Sequence, residues 1–198
     1  MELEHELDNI LKIKTSGRDD SNSNYLNFPY EPTPYSVLQE LSNSGYLLKN
    51  DNLLDYGCGK GRVGFYLAYA NKINYLGIEY DTRIYNSAIN NKNTSIIKNR
   101  VNFLNINAVD YNIAENINKI YFFNPFSVKI LIKVIDNIRT SIKKYPRNIT
   151  LFFYYPSDGY IKYLDNEPDI KYIGKLDCKT IVDSNDPKEH IAIYEFLS

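Results

Sequence analysis

Residues 53–68, LLDYGCGKGRVGFYLA, set four glycines within eight positions directly after a short apolar run that ends in an aspartate. A backbone that bare raises the question of which phosphate or cofactor approaches it. From Gly59 the string GKGRVG satisfies G-x-G-x-x-G, the dinucleotide pattern whose glycines admit a pyrophosphate to a helix N-terminus. The register argues against that assignment. A dinucleotide fingerprint begins at the apolar end of its strand, whereas Asp55, Tyr56, Gly57 and Cys58 precede Gly59, so the strand ends four residues early. Anchored on Asp55 the pattern becomes D-x-G-x-G-x-G, an acid at a strand tip followed by alternating glycines. That suits a cofactor with a cationic head in place of a pyrophosphate.

Outward from this loop the chain alternates. NLLDYG reads as a strand and RVGFYLAYA as a helix; NYLGIEYD is a second strand, and TRIYNSAINNKNTSIIKN a helix capped by Asp81 or Thr82. VNFLNI and KIYFFN follow as strands. Val128, Leu131, Ile135, Ile138 and Ile142 form the stripe of a helix laid on a sheet. NITLFFYYP is apolar on both faces and therefore central. KYIGKLDCKTIV and HIAIYEFL, joined by the turn-rich DSNDPKE, pair as an antiparallel hairpin. Upstream, Leu3, Leu7, Ile10 and Leu11 predict a short helix, TSGRDDSNSN a polar hinge, FPYEPTPY an extended segment, and SVLQELSNSGYLL a helix ending near Gly45. The expected organisation is an N-terminal helix and flexible linker over residues 1–24, then one α/β domain over 25–198, its sheet mostly parallel with helices on both faces.

At 198 residues the chain carries one sizeable core, and 23 basic against 24 acidic residues give no strong net field toward polyanions or anionic membranes. Two cysteines, Cys58 and Cys178, suit neither a disulfide framework nor a zinc site, and no metal-ligand cluster is visible. The acidic MELEHELDN start and the lack of any long apolar run lead us to expect a cytoplasmic protein without membrane association.

On these residues the region from about 30 to 160 resembles the class I S-adenosylmethionine-dependent methyltransferases, a Rossmann-like fold. In that family the first acid lies near the methionine amino group and the glycines admit the cofactor; Asp55, Gly57, Gly59 and Gly61 stand at those positions. Glu79 matches the acid at the tip of the second strand, which holds both ribose hydroxyls, a task suited to two carboxylate oxygens side by side. Asn107 and Ala108 in NINAVDYN stand beside the adenine position, with Asp110 the competing candidate or else a helix cap. The resemblance thus implies S-adenosyl-L-methionine as cofactor, with contacts from Thr33, Asp55, Gly57, Cys58, Gly59, Gly61, Glu79, Tyr80, Asn107, Ala108 and Asn124.

YFFNPFS, residues 121–127, resembles the N/D-P-P-Y/F tetrapeptide of amino-methyltransferases, with one proline where the family has two. Asn124, Pro125 and Phe126 are therefore the catalytic candidates, Asn124 accepting an acceptor N–H while Phe126 covers the acceptor's face. As plain structure, Pro125 ends the strand and Ser127 caps the next helix. Methyl transfer from a sulfonium is an in-line displacement that a protein accelerates by alignment and water exclusion. No residue advertises itself as the base a hydroxyl acceptor needs, which favours nitrogen, in a small molecule, a protein side chain or RNA. Tyr30, Tyr35, Phe126, Tyr154, Tyr155 and Tyr160 are expected around the mouth, with YEPTPY as a lid or as amphipathic rim packing. Lys60, Arg62, Lys129 and Lys133 supply local positive charge or solvated faces; His5 and His190 fit no dyad, and Cys58 fills a small-residue slot. The alternatives are a non-catalytic module binding S-adenosylmethionine or S-adenosylhomocysteine, a nicotinamide-dependent oxidoreductase, and an ordinary tight βα turn.

Overall fold

The computed structural model describes residues 2–19 and 30–196. In chain order its elements are α1 (Glu2–Leu11), α2 (Tyr35–Asn43), β1 (Asn52–Tyr56), α3 (Arg62–Asn71), β2 (Asn74–Glu79), α4 (Thr82–Thr94), β3 (Val101–Asn105), β4 (Lys119–Phe122), α5 (Val128–Lys144), β5 (Ile149–Tyr154), α6 (Asp158–Leu164), β6 (Ile170–Asp177) and β7 (His190–Phe196). The strands form one sheet in the order β3-β2-β1-β4-β5-β7-β6. The first five pair in parallel, and β7 runs antiparallel to both β5 and β6. The chain steps outward from β1 to β3 and returns to β4 on the other side of β1. The order therefore reverses between β1 and β4, and ligands of open α/β sheets bind at that point, beyond the carboxyl ends of the strands.

Alternation along the strands divides the interior in two. Leu53, Tyr121 and Phe152 face α1–α4, whereas Leu54, Tyr56, Ile120, Phe122 and Phe153 face α5 and α6. Every residue of β5 is buried, as its apolar run requires of a strand covered on both faces. The α5 stripe holds: Leu131, Ile135 and Ile138 are buried in the second core, with Val128 and Ile142 packed at its edge. Among the described residues no helix is long and apolar enough to cross a membrane.

Two segments of the body differ from the sequence reading. Helix α4 stops at Thr94, and a single 3₁₀ turn, Lys98–Arg100, carries the chain to β3. The cap is Asp81, whose carboxylate accepts from the Arg83 N–H. Helix α6 was not anticipated; its seven residues are too few for a periodic signal, though Ser157 caps it by accepting from Tyr160 N–H.

The N-terminal stretch is bonded into the body over residues 2–19. Leu11 and Ile13 are buried, while Ile10, expected on the same face, is exposed. Asp8, itself buried, accepts from the Thr15 N–H and hydroxyl, both at 2.7 Å, and from the Tyr35 hydroxyl at 2.6 Å. Lys14 and Asn91 exchange backbone–side-chain bonds, and Thr94 donates to Lys12 O. Thr15, Ser16 and Gly17, expected as hinge, thus end a tethered segment that closes on Tyr30 through a two-bond antiparallel bridge at Asp19. The 24/25 boundary, and Phe28 and Pro29 of the extended segment, lie outside the described residues.

Candidate active site

An open crevice of about 1050 Å³, counting space continuous with solvent, lies where the strand order reverses. The tips of β1 and β2, the turn after β3, the loop after β4 and the segment 30–33 all line it. Asp55 and Glu79 enter it from neighbouring strands. Asp55 is 3% exposed and, among the described residues, takes one hydrogen bond, from the Tyr75 hydroxyl to Oδ2 at 2.6 Å. Burial pushes its carboxyl up to about 7; the Tyr75 bond opposes this and the charge of Glu79 adds to it. Glu79 accepts from the Gly59 N–H at 3.0 Å through Oε2 and from the Asp81 N–H at 2.8 Å through Oε1. Burial raises its pKa too, against the pull of those N–H groups. A carboxylate offers about four acceptor sites, so Glu79 keeps one on each oxygen.

The glycines are bare for a reason internal to the protein. A Cβ at Gly59 would overlap the Tyr30 ring, one at Gly61 the Phe103 and Phe65 rings, one at Gly64 the Tyr75 ring, and one at Gly57 the Pro125 ring. Gly57, Gly59 and Gly61 also adopt positive φ, which glycine does at no steric cost. Only Gly57 of the four lines the crevice; Gly59 and Gly61 do not, contrary to the expected contacts. Cys58 lines it as a buried thiol whose pKa burial and the neighbouring acids push well up, which keeps it unreactive.

Beyond Glu79, the exposed Tyr80 ring and Ile84, Ile106, Asn107 and Ala108 make an apolar slot. Asn107 is the cap of the 3₁₀ turn Ala108–Asp110, its carbonyl oxygen accepting from the Val109 N–H. Asp110 lies inside that turn, so the capping role sequence offered to it belongs to Asn107. On the opposite wall Thr33 shares a 3.2 Å hydrogen bond with the buried Tyr121 hydroxyl. Tyr121, which stands opposite Asp55 across the β1–β4 pairing, was not singled out from sequence. Its signal was its place in β4, three residues before Asn124.

The N-P-F-S loop is built differently from the expectation. Asn124, at φ +39°, donates to the Tyr155 carbonyl and accepts from the Ser157 N–H at 3.1 Å, bracing the loops after β4 and β5. Pro125 and Phe126 line the crevice, but Asn124 does not. Phe126 is buried against Tyr56 and Phe122, and its carbonyl accepts from the Tyr160 hydroxyl at 2.5 Å. Ser127 opens α5 without a side-chain cap bond.

Of the mouth aromatics only Tyr30 and Phe126 line the crevice. Tyr35 and Tyr160 are core residues, Tyr154 bonds Glu189, and Tyr155 bonds Asp186. Lys60 reaches the Ser16 carbonyl over the Tyr30 ring. Arg62 is not a solvated charge: it is 4% exposed and paired with Glu4. Lys129 is exposed on α5, His5 is exposed on α1, and His190 shares a bond with the Pro187 carbonyl.

No protein-family model and no curated protein sequence matches this chain. Solved structures do. An RNA methyltransferase from Salinibacter ruber in complex with S-adenosyl-L-homocysteine has a TM-score of 0.54 at 18% identity, over 84% of this chain and 92% of that one. A SAM-dependent methyltransferase from Geobacter sulfurreducens, in complex with the same compound, gives 0.55 at 14% identity, over 83% and 90%. A protein of the NADB-Rossmann superfamily from Streptococcus agalactiae gives 0.62 at 16% identity, over 84% and 70%. Together with the 3-2-1-4-5-7-6 strand order, these likenesses establish that the chain has the Rossmann-like fold of the class I methyltransferases.

Proposed function

We propose that this protein binds S-adenosyl-L-methionine and transfers its methyl group. One observation carries the reading: two carboxylates, the buried Asp55 and the half-buried Glu79, converge from adjacent strand tips on a crevice at the sheet's reversal point, both with raised affinity for protons. A ligand that brings a cationic group to Asp55 and a pair of hydroxyls to Glu79 relieves that cost. The residues fit this nucleoside. Asp55 holds its ammonium, the free acceptor sites of Glu79 its ribose hydroxyls, and Ile84, Ile106, Ala108 and Tyr80 flank its base. When bound, it supplies an electrophilic methyl group on a sulfonium. The chain's part is to align the acceptor and to keep water out, which the Tyr30–Thr33 segment does at the crevice rim.

For the acceptor we carry forward a nitrogen, on the likeness of the N-P-F-S loop, in a small molecule, a protein side chain or RNA. Pro125 and Phe126 are the parts of that loop that line the crevice, and Asn124 serves to hold them. The internal use of the Asn124 amide favours a second reading, a module that binds the nucleoside without turnover. Calorimetric titration with S-adenosylhomocysteine tests the first step: the wild type binds, and Glu79→Ala binds more weakly by roughly 100-fold or more, the worth of two lost charge-assisted hydrogen bonds. Equal affinity in the two proteins overturns the ribose assignment. Incubation with methyl-labelled cofactor and cell extract separates catalysis, which transfers label to a product, from binding alone, which does not.

A further inference from the structure

Arg62 is the first residue of α3 and lines the crevice, yet nothing in the proposed reaction uses it. Its guanidinium is fixed from three sides: Nε donates to Thr15 Oγ1 at 2.7 Å, Nη1 pairs with the Glu4 carboxylate and approaches the Thr33 carbonyl at 3.3 Å, and the plane lies 4.4 Å from the Tyr35 ring centroid. Glu4 and Thr15 belong to the N-terminal segment, so residues 2–19 hold this cation in place. Among the described residues Nη2 has no hydrogen-bond partner, and neither has Oδ1 of Asp55 in the same crevice. Two largely buried residues of opposite charge thus each leave one polar atom open to the same crevice, a donor on Arg62 and an acceptor on Asp55, without meeting each other. That arrangement is complementary to an α-amino acid, whose ammonium and carboxylate are separated by one carbon.

Resting on the methyltransferase reading, we propose that Arg62, positioned by Glu4 and Thr15, receives the α-carboxylate of the bound nucleoside while Asp55 holds its ammonium. The N-terminal segment then belongs to the binding site. Arginine suits the task because its fork offers Nη2 to an incoming carboxylate while Nε and Nη1 stay tied.

Calorimetry with S-adenosylhomocysteine and its decarboxylated analogue, which keeps adenosine, thioether and ammonium, tests this. The wild type should bind the intact compound roughly 10- to 100-fold more tightly. Arg62→Met should lose that preference, weakening the intact compound while leaving the analogue within about threefold. Arg62→Lys, which keeps the charge and the Glu4 pair, should fall between, and it is the variant to read if Arg62→Met fails to fold. Equal wild-type affinity for the two compounds overturns the proposal, as does a preference that either folded variant retains in full. If the wild type binds neither compound, the methyltransferase reading itself fails.

Discussion

Asp55→Asn tests the electrostatics of the crevice without any ligand. The folded protein holds the Asp55 proton up to a pH of about 7, whereas the unfolded chain releases it near 3.8. Between those values the folded state binds more protons than the unfolded one, so this group makes the protein less stable as pH rises. At about 1.4 kcal/mol per pH unit the full span sets a ceiling of ~4 kcal/mol. The crevice is open at one side, and water and reorganisation reduce the cost of the charge to ~1–3 kcal/mol. Asparagine has nearly the same shape and can still accept from the Tyr75 hydroxyl through its carbonyl. Ligand-free Asp55→Asn should therefore melt roughly 3–10 °C above the wild type at pH 8.5, given about 2–4 °C per kcal/mol in a chain of this size. At pH 4 the two should melt within about 1 °C of each other, because wild-type Asp55 is then protonated in the fold. Subtracting variant from wild type at each pH cancels the other titrating groups. Saturating S-adenosylhomocysteine should reverse the order at pH 8.5, since it binds more tightly to, and so stabilises more, the protein that keeps the carboxylate. A variant less stable at pH 8.5 without ligand, or a difference that ignores pH, would refute the view that Asp55 is an uncompensated buried charge.

Gly64→Ala sets helix propensity, which gains about 1 kcal/mol from alanine, against a Cβ driven into the Tyr75 ring. Packing should win, with a net loss of roughly 1–2 kcal/mol in urea unfolding; a stabilised variant would mean the ring moves aside freely. Asp8→Ala leaves the Thr15 N–H and the Thr15 and Tyr35 hydroxyls without their acceptor and should cost roughly 2–4 kcal/mol by the same measurement. Tyr160→Phe unpairs the Phe126 carbonyl and should cost roughly 1–2 kcal/mol, without changing affinity for S-adenosylhomocysteine more than about twofold, because the ring lies in the second core.

The strand and helix pattern was legible because each element buries a face whose period shows in the sequence. Leu53 and Leu54 point into different cores, and the α5 stripe repeats at helical spacing. The antiparallel pairing of β6 and β7 was legible from a turn-rich connection that holds no helix. Arg62 was not, because a charged residue at a helix start reads as solvated until Glu4, far away in the chain, is seen beside it. The bracing role of Asn124 was hidden for a related reason. A side-chain amide next to proline at a strand tip looks free to meet a ligand, and only the tertiary placement of Tyr155 and Ser157 shows that both its nitrogen and its oxygen are already engaged.

The glycine loop shows how a motif can have a physical reason other than the one its composition suggests. Bareness at Gly59, Gly61 and Gly64 is required by the rings of Tyr30, Phe103 and Tyr75, so the same string would be needed whether or not a nucleoside ever approached. Composition of the loop is thus silent on the ligand. The neighbouring acids are not, because packing explains a missing side chain but gives no reason to bury a charge. Asp55 sits where a leucine or asparagine would be cheaper, bonded by one tyrosine, and Glu79 draws two backbone N–H groups around a carboxylate that still has acceptor sites to offer. A cost of this kind persists where a site supports function at the expense of stability, and it is these two acids, more than the glycines, on which the proposed ligand, with its positive end and vicinal hydroxyls, rests.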